Sequence, residues 1–141
     1  MTRELLKQYP SILQELPEID KKIRKTQDEI NKLIAEGTVV DSVSGGSGGT
    51  QHFRIEGMPS KSIQLKRAHL NSLQMRKSYM ELQKQEVEIF LNELDDYRMR
   101  RIIRYRFFEG LHWQEVADKM GGNCTENSVK KEFERFYKAV F

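Results

Sequence analysis

Leu111-His112-Trp113-Gln114-Glu115-Val116-Ala117-Asp118-Lys119-Met120-Gly121-Gly122-Asn123-Cys124-Thr125-Glu126-Asn127-Ser128-Val129 changes character twice within a short span. From His112 to Met120, Trp113, Val116, Ala117 and Met120 fall at spacings of three, one and three, so one face of a short helix is apolar. Gly121-Gly122-Asn123 then break the chain, because glycine and asparagine accept the positive φ that a sharp turn needs. Thr125 suits the N-cap of a following helix, and Glu126 suits its positively polarised start. That helix is expected to bury Val129, Phe133, Phe136, Tyr137 and Val140. Two helices that cross steeply need a small residue where their backbones approach, and Ala117 lies just before the turn. A short helix, a glycine turn and a second helix with a polar start is the helix-turn-helix arrangement.

A further helix precedes it, from Asp95 to about Phe108, opened by Asp95 and Asp96 and closed by Glu109-Gly110. Met99, Ile102, Ile103, Arg106 and Phe107 share one face of it, and Arg98, Arg100, Arg101 and Arg104 occupy the others. On the last helix, the positions left outward are Asn127, Lys130, Lys131 and Glu134, with Glu126 and Ser128 at its start. In a helix-turn-helix this part of the second helix enters the DNA major groove. Asparagine pairs bidentately with adenine, lysine donates to guanine, and a glutamate accepts from cytosine or repels phosphate. The expected base contacts are therefore Glu126, Asn127, Lys130, Lys131 and Glu134. Arg98, Arg101, Arg104, Lys119, Arg135 and Lys138 are the expected phosphate contacts, which position a protein without specifying sequence. The competing reading is an ordinary three-helix cluster with a solvated, charged surface.

Charge distribution bears on that choice. The formal net charge is +3. Residues 98–141 carry ten Lys/Arg against six acids, and residues 1–97 carry fourteen against fifteen. All of the positive excess thus lies in the last third, as a phosphate-neutralising surface requires. With 32% charged residues and Lys, Glu, Arg, Gln and Leu at helical spacing, the chain reads as all-α with a small core.

The preceding residues 1–94 read as a helical hairpin, a coiled-coil-like arm of antiparallel long helices. Leu5, Leu6, Tyr9, Ile12, Leu13 and Leu16 fall at three-and-four spacing, interrupted by Pro10. From Pro17 to about Glu36, Ile19, Ile23, Ile30, Leu33 and Ile34 form a stripe, and Gly37 suits its stop. Residues 37–58 read as a connector around Ser44-Gly45-Gly46-Ser47-Gly48-Gly49, flanked by Val39, Val40, Phe53 and Ile55. It lacks the Gly-Lys-Ser/Thr ending of a phosphate-cradling loop. A long helix then opens at Pro59 and Ser60, and Leu73, Met80, Val87 and Leu94 recur in it every seven residues. The shorter partner helix is too short to cover that seam, so the rest packs on the last third or pairs with a second copy as a homodimer.

Two resemblances follow from these residues. Arg104-Tyr105-Arg106-Phe107-Phe108-Glu109-Gly110-Leu111-His112-Trp113-Gln114-Glu115-Val116-Ala117, followed by Ser128-Val129-Lys130, resembles region 4 of bacterial sigma factors. The resemblance implies a sigma region 4-like helix-turn-helix in residues 95–141. More of the chain is similar to the ArpU and RinA type of phage and prophage late-gene transcription regulators. Asp41-Ser42-Val43-Ser44-Gly45-Gly46, Phe53-Arg54-Ile55-Glu56-Gly57, the long helix and the Trp113-containing ending carry that likeness. It implies activation of phage late or packaging genes on double-stranded DNA near host RNA polymerase. No sigma region 2-like segment precedes the region 4-like part, which implies an accessory regulator rather than a complete sigma factor.

Other classes fit less well. His52, His69 and His112 are far apart and Cys124 is the single cysteine, so no zinc-ligand cluster, no internal disulfide and no cysteine–histidine nucleophile is legible. No metal, no cofactor and no catalytic residue is expected, and the protein is not read as an enzyme. No signal-like stretch and no apolar run of about twenty residues is present, so a cytoplasmic protein with no membrane segment is expected. The alternative functions are an adaptor whose arm binds RNA polymerase or a sigma factor, and a small terminase-type DNA-packaging subunit.

Overall fold

The computed structural model describes the backbone of residues 1–47 and 49–141, and the side chains of residues 1–37 and 61–141. The described residues are all-helical: α1 (Arg3–Ser47), α2 (Gly49–Glu93), α3 (Tyr97–Ile103), a π-helical turn (Arg104–Phe108), α4 (Trp113–Met120) and α5 (Glu126–Val140). No strand occurs among them. No helix among the described residues is long and apolar enough to cross a membrane.

Three local expectations are corrected. Pro10 and Pro17 neither interrupt nor start a helix, because α1 runs through both. Each proline removes one backbone donor, and packing of an apolar face supplies most helix stability in a protein. Around Pro10 that face is Leu5, Leu6, Tyr9 and Ile12, all buried. Nor does α1 stop at Gly37; a glycine inside a helix costs only about 1 kcal/mol relative to alanine. The rest of the expected 37–58 connector, with its glycine run and Val39, Val40, Phe53 and Ile55, lies outside the residues whose side chains are described.

The chain groups into two compact units, Met1–Glu15 with Met80–Phe141, and Leu16–Tyr79. In the second unit, Asp20 of α1 pairs with Lys77 of α2 and Glu29 with Lys66, each at 2.6 Å. Numbers that rise along α1 fall along α2, so the helices run antiparallel. Ile19 and Ile30 are buried, Ile23 and Leu33 half-buried, and Ile34 is exposed.

The Lys66 hydrogen bond holds the Glu29 carboxyl below the usual carboxylate range. A lowered folded pKa means that the contribution is present above the unfolded value and is lost as pH falls through the folded one. Both groups are well solvated, so the effect on stability is small. Lys66→Met is expected to shift the Glu29 titration upward in a carboxyl NMR pH series, and an unchanged titration would refute the pairing.

The first unit holds the larger core. Met99, Ile102, Ile103, Val116, Ala117, Val129, Phe133 and Tyr137 are buried there, together with Met80, Val87 and Leu91 of α2. The start of α1 is part of it. Tyr9 stacks on Phe108 at 4.3 Å and donates to Glu88 at 3.1 Å. Tyr137 Oη donates to the Arg3 carbonyl at 3.1 Å, while the Arg3 guanidinium lies 4.0 Å over the same ring. Burial raises the Tyr9 hydroxyl pKa first, and the Glu88 carboxylate adds to it.

Candidate functional site

The site is built on α4, its turn and α5. Gly121 and Gly122 adopt φ of 75° and 65°, the left-handed region expected of them. Ala117 is buried, and the Gly121 amide donates to its carbonyl at 3.2 Å. Thr125 then caps α5: its hydroxyl accepts from the Ser128 amide at 3.1 Å, and the Ser128 hydroxyl accepts from the Thr125 amide at 2.9 Å. Thr125→Ala is expected to cost about 1 kcal/mol by denaturant melt. A change below a few tenths would mean that Ser128 alone holds the cap.

Two rings from other elements, Phe107 of the π-helical turn and Trp113 of α4, hold α5 through Phe133. Phe133 lies 5.4 Å from Phe107, 5.3 Å from Trp113 and 5.0 Å from Tyr137. Val129, Phe133 and Tyr137 are buried as expected, and Phe136 is half-buried. Val140, expected inside, is 49% exposed, since it sits at the last turn of the helix.

With that face turned inward, Glu126, Asn127, Lys130, Lys131 and Glu134 are all exposed. Asn127, Lys131, Glu134 and Lys138 follow at i, i+4, i+7 and i+11, one line along the helix. Lys130 and Arg135 flank that line, and both are exposed. The line carries two lysines around one carboxylate, so it offers donors and an acceptor rather than uniform positive charge.

The expected phosphate contacts separate into groups. Arg104 and Lys119 come together at the Tyr105 ring, 5.4 Å and 5.7 Å from its centre, although one lies on the π-helical turn and the other on α4. Arg101 is exposed on α3, and Arg135 and Lys138 are exposed on α5. Arg98 is engaged instead: its Nε donates to Glu132 at 2.8 Å and an NH2 donates to Cys124 Sγ at 3.3 Å. The hydrogen bond to Glu132 raises its pKa further above an already high value. Arg98 thus ties α3 to the turn and to α5. Arg106 donates to the Leu111 carbonyl at 2.9 Å and lies 5.0 Å over Trp113, which fixes the entry to α4.

The π-helical turn has no legible signal in the sequence. Its wider backbone bonds, Glu109 to Arg104 and Leu111 to Tyr105, both at 3.0 Å, end in Gly110 with φ of 70°. Phe107 and Phe108 leave this turn toward different partners, Phe133 and Tyr9. Among the described residues, no group of three or more His, Cys, Asp or Glu could hold a metal ion.

No protein-family model, curated protein or solved structure matches the chain.

Proposed function

We propose that this chain is a sequence-specific DNA-binding transcription regulator, with α4 and α5 as a helix-turn-helix and α5 as the element that enters the major groove. One observation carries the reading. Asn127, Lys130 and Lys131 are exposed on the capped, amino-terminal half, and Glu134 just past the midpoint, of a helix whose opposite face is fixed by buried Val129, Phe133 and Tyr137. Such a helix presents base-reading side chains without reorganising. Arg104 and Lys119 beside Tyr105, with Arg135 and Lys138 on α5, supply phosphate contacts around it. The likeness to sigma region 4 and to ArpU and RinA type regulators extends the proposal to activation of phage or prophage genes beside host RNA polymerase.

The test is a fluorescence titration of a random-sequence duplex and of DNA from the gene's own neighbourhood, each at two salt concentrations. Site-selective binding that weakens steeply with salt is expected. No binding to either duplex at low salt would replace this reading with a protein-binding adaptor. A ring-sized mass would replace it with a packaging subunit.

A further inference from the structure

We infer that the unit Leu16–Tyr79 docks an acidic, amphipathic helix of a different protein along the outward face of α2. On that face Lys61, Leu65, Ala68, Ser72, Met75 and Tyr79 follow at steps of four, three, four, three and four, one line along a helix. All six are exposed. Leu65 and Met75 are each 66% exposed, and Tyr79 is 58% exposed. Single exposed apolar residues need no explanation, whereas three on one line do. The seam toward α1 is a different one, marked by half-buried Leu70 and Leu73 and by Lys66 and Lys77, which pair with Glu29 and Asp20.

Ala68, Asn71, Ser72, Met75, Arg76 and Tyr79 line an open groove on this face, and none of them is acidic. Ala68 and Ser72 are its small members, so a helix laid there approaches the α2 backbone closely. Leu65, Met75 and Tyr79 stand on either side of them along the line, where they pack against an apolar stripe. Alternating threes and fours is the seam spacing by which one helix takes another.

Charge selects the occupant. From Lys61 to Tyr79, α2 has no acidic residue. Of its five Lys/Arg there, Lys66 and Lys77 are already held by Glu29 and Asp20. Arg67 comes two residues after Leu65, so it is turned off the line. The remaining two belong to the face: Lys61 is one step before Leu65, and Arg76 follows Ser72 by four residues and lines the groove. Both are exposed, and neither is paired with an acid among the described residues. A second copy would lay this face on one of the same sign, so the complementary partner is a different chain. Duplex phosphate would leave Leu65 and Met75 uncovered. A helix with an apolar stripe for the line, and carboxylates about 22 Å apart along its axis for Lys61 and Arg76, meets both demands.

None of these residues lies on α4, its turn or α5, so the docking stands or falls separately from the DNA reading. The probe is a synthetic amphipathic peptide of about 20 residues, with leucine on its seam and glutamate beside it, and a twin with lysine in place of glutamate. Fluorescence anisotropy of each labelled peptide against the full chain is expected to show binding of the glutamate peptide and not of its twin, weakening with salt. Met75→Glu and Arg76→Glu are each expected to weaken that binding about ten-fold or more, with the helical circular-dichroism spectrum unchanged. Arg67→Glu makes the same change of net charge off the line and is expected to leave the affinity nearly as it was. No binding of the glutamate peptide, equal binding of both peptides, or equal effects of Arg67→Glu and Arg76→Glu would overturn the inference. So would sedimentation at twice the 16.6 kDa chain mass that Met75→Glu reduces to one, which gives the face to a second copy. Loss of duplex DNA binding in Arg76→Glu would overturn it too, and give the face to phosphate.

Discussion

Phe133→Ala is expected to destabilise the unit built from residues 1–15 and 80–141 by about 3–5 kcal/mol, the cost of truncating a buried phenylalanine. Phe133 is 4% exposed, and the rings within 5.4 Å of it come from the π-helical turn, α4 and α5 itself. One truncation therefore loosens three elements, and a backbone fixed by two glycine φ values and a capped helix start has little freedom to collapse into the cavity. Domains of this kind are stable by about 5–15 kcal/mol in total, so a large share is lost. Trp113, the single tryptophan, lies 5.3 Å from Phe133, and its fluorescence reports the transition directly in a urea titration. Val140→Ala, half exposed at the last turn, is the matched control and should stay within about 0.5 kcal/mol. Equal midpoints for the two variants would refute the ring cluster as the centre of this core.

The second large effect concerns recognition. Changing Asn127, Lys130, Lys131 and Glu134 together to alanine is expected to remove site selectivity, so that the preferred duplex binds no better than a random one. Specific sites are commonly bound about a thousand-fold or more above random DNA, and each good base contact contributes about 1–3 kcal/mol of discrimination. All four side chains are exposed, so the melting transition should not move by more than about 1 kcal/mol. Arg104→Ala with Lys119→Ala should act differently, weakening both duplexes alike and flattening the salt dependence by about one unit for each phosphate no longer neutralised. An unchanged site preference in the quadruple variant would sink the assignment of α5 as the reading element, even if the chain still binds DNA.

Much of the α4–α5 region was legible because its signals are local. A glycine pair, a threonine before a polar start and aromatic residues at helical spacing each act within one turn of chain, and Gly121, Gly122, Thr125, Phe133 and Tyr137 all stand as those signals imply. Periodicity identifies an apolar face but not what covers it. Nothing near Tyr9 says that Phe108 is its partner, or that the Arg3 carbonyl receives the Tyr137 hydroxyl. Local rules also mislead where packing outweighs them, as at Pro10, Pro17 and Gly37 inside α1. Charge counting treated Arg98 as available for phosphate, whereas its partner Glu132 is reached only through the fold.

The contact between Arg3 and Tyr137 spans 134 residues of sequence. On the ribosome, the first helical turns leave the exit tunnel long before α5 has been made, and during that interval Leu5, Leu6 and Tyr9 have none of the surface that later buries them. Loop closure over such a distance also slows assembly after release. The contact between the start of α1 and α5 therefore forms only once nearly the whole of this sequence has been made.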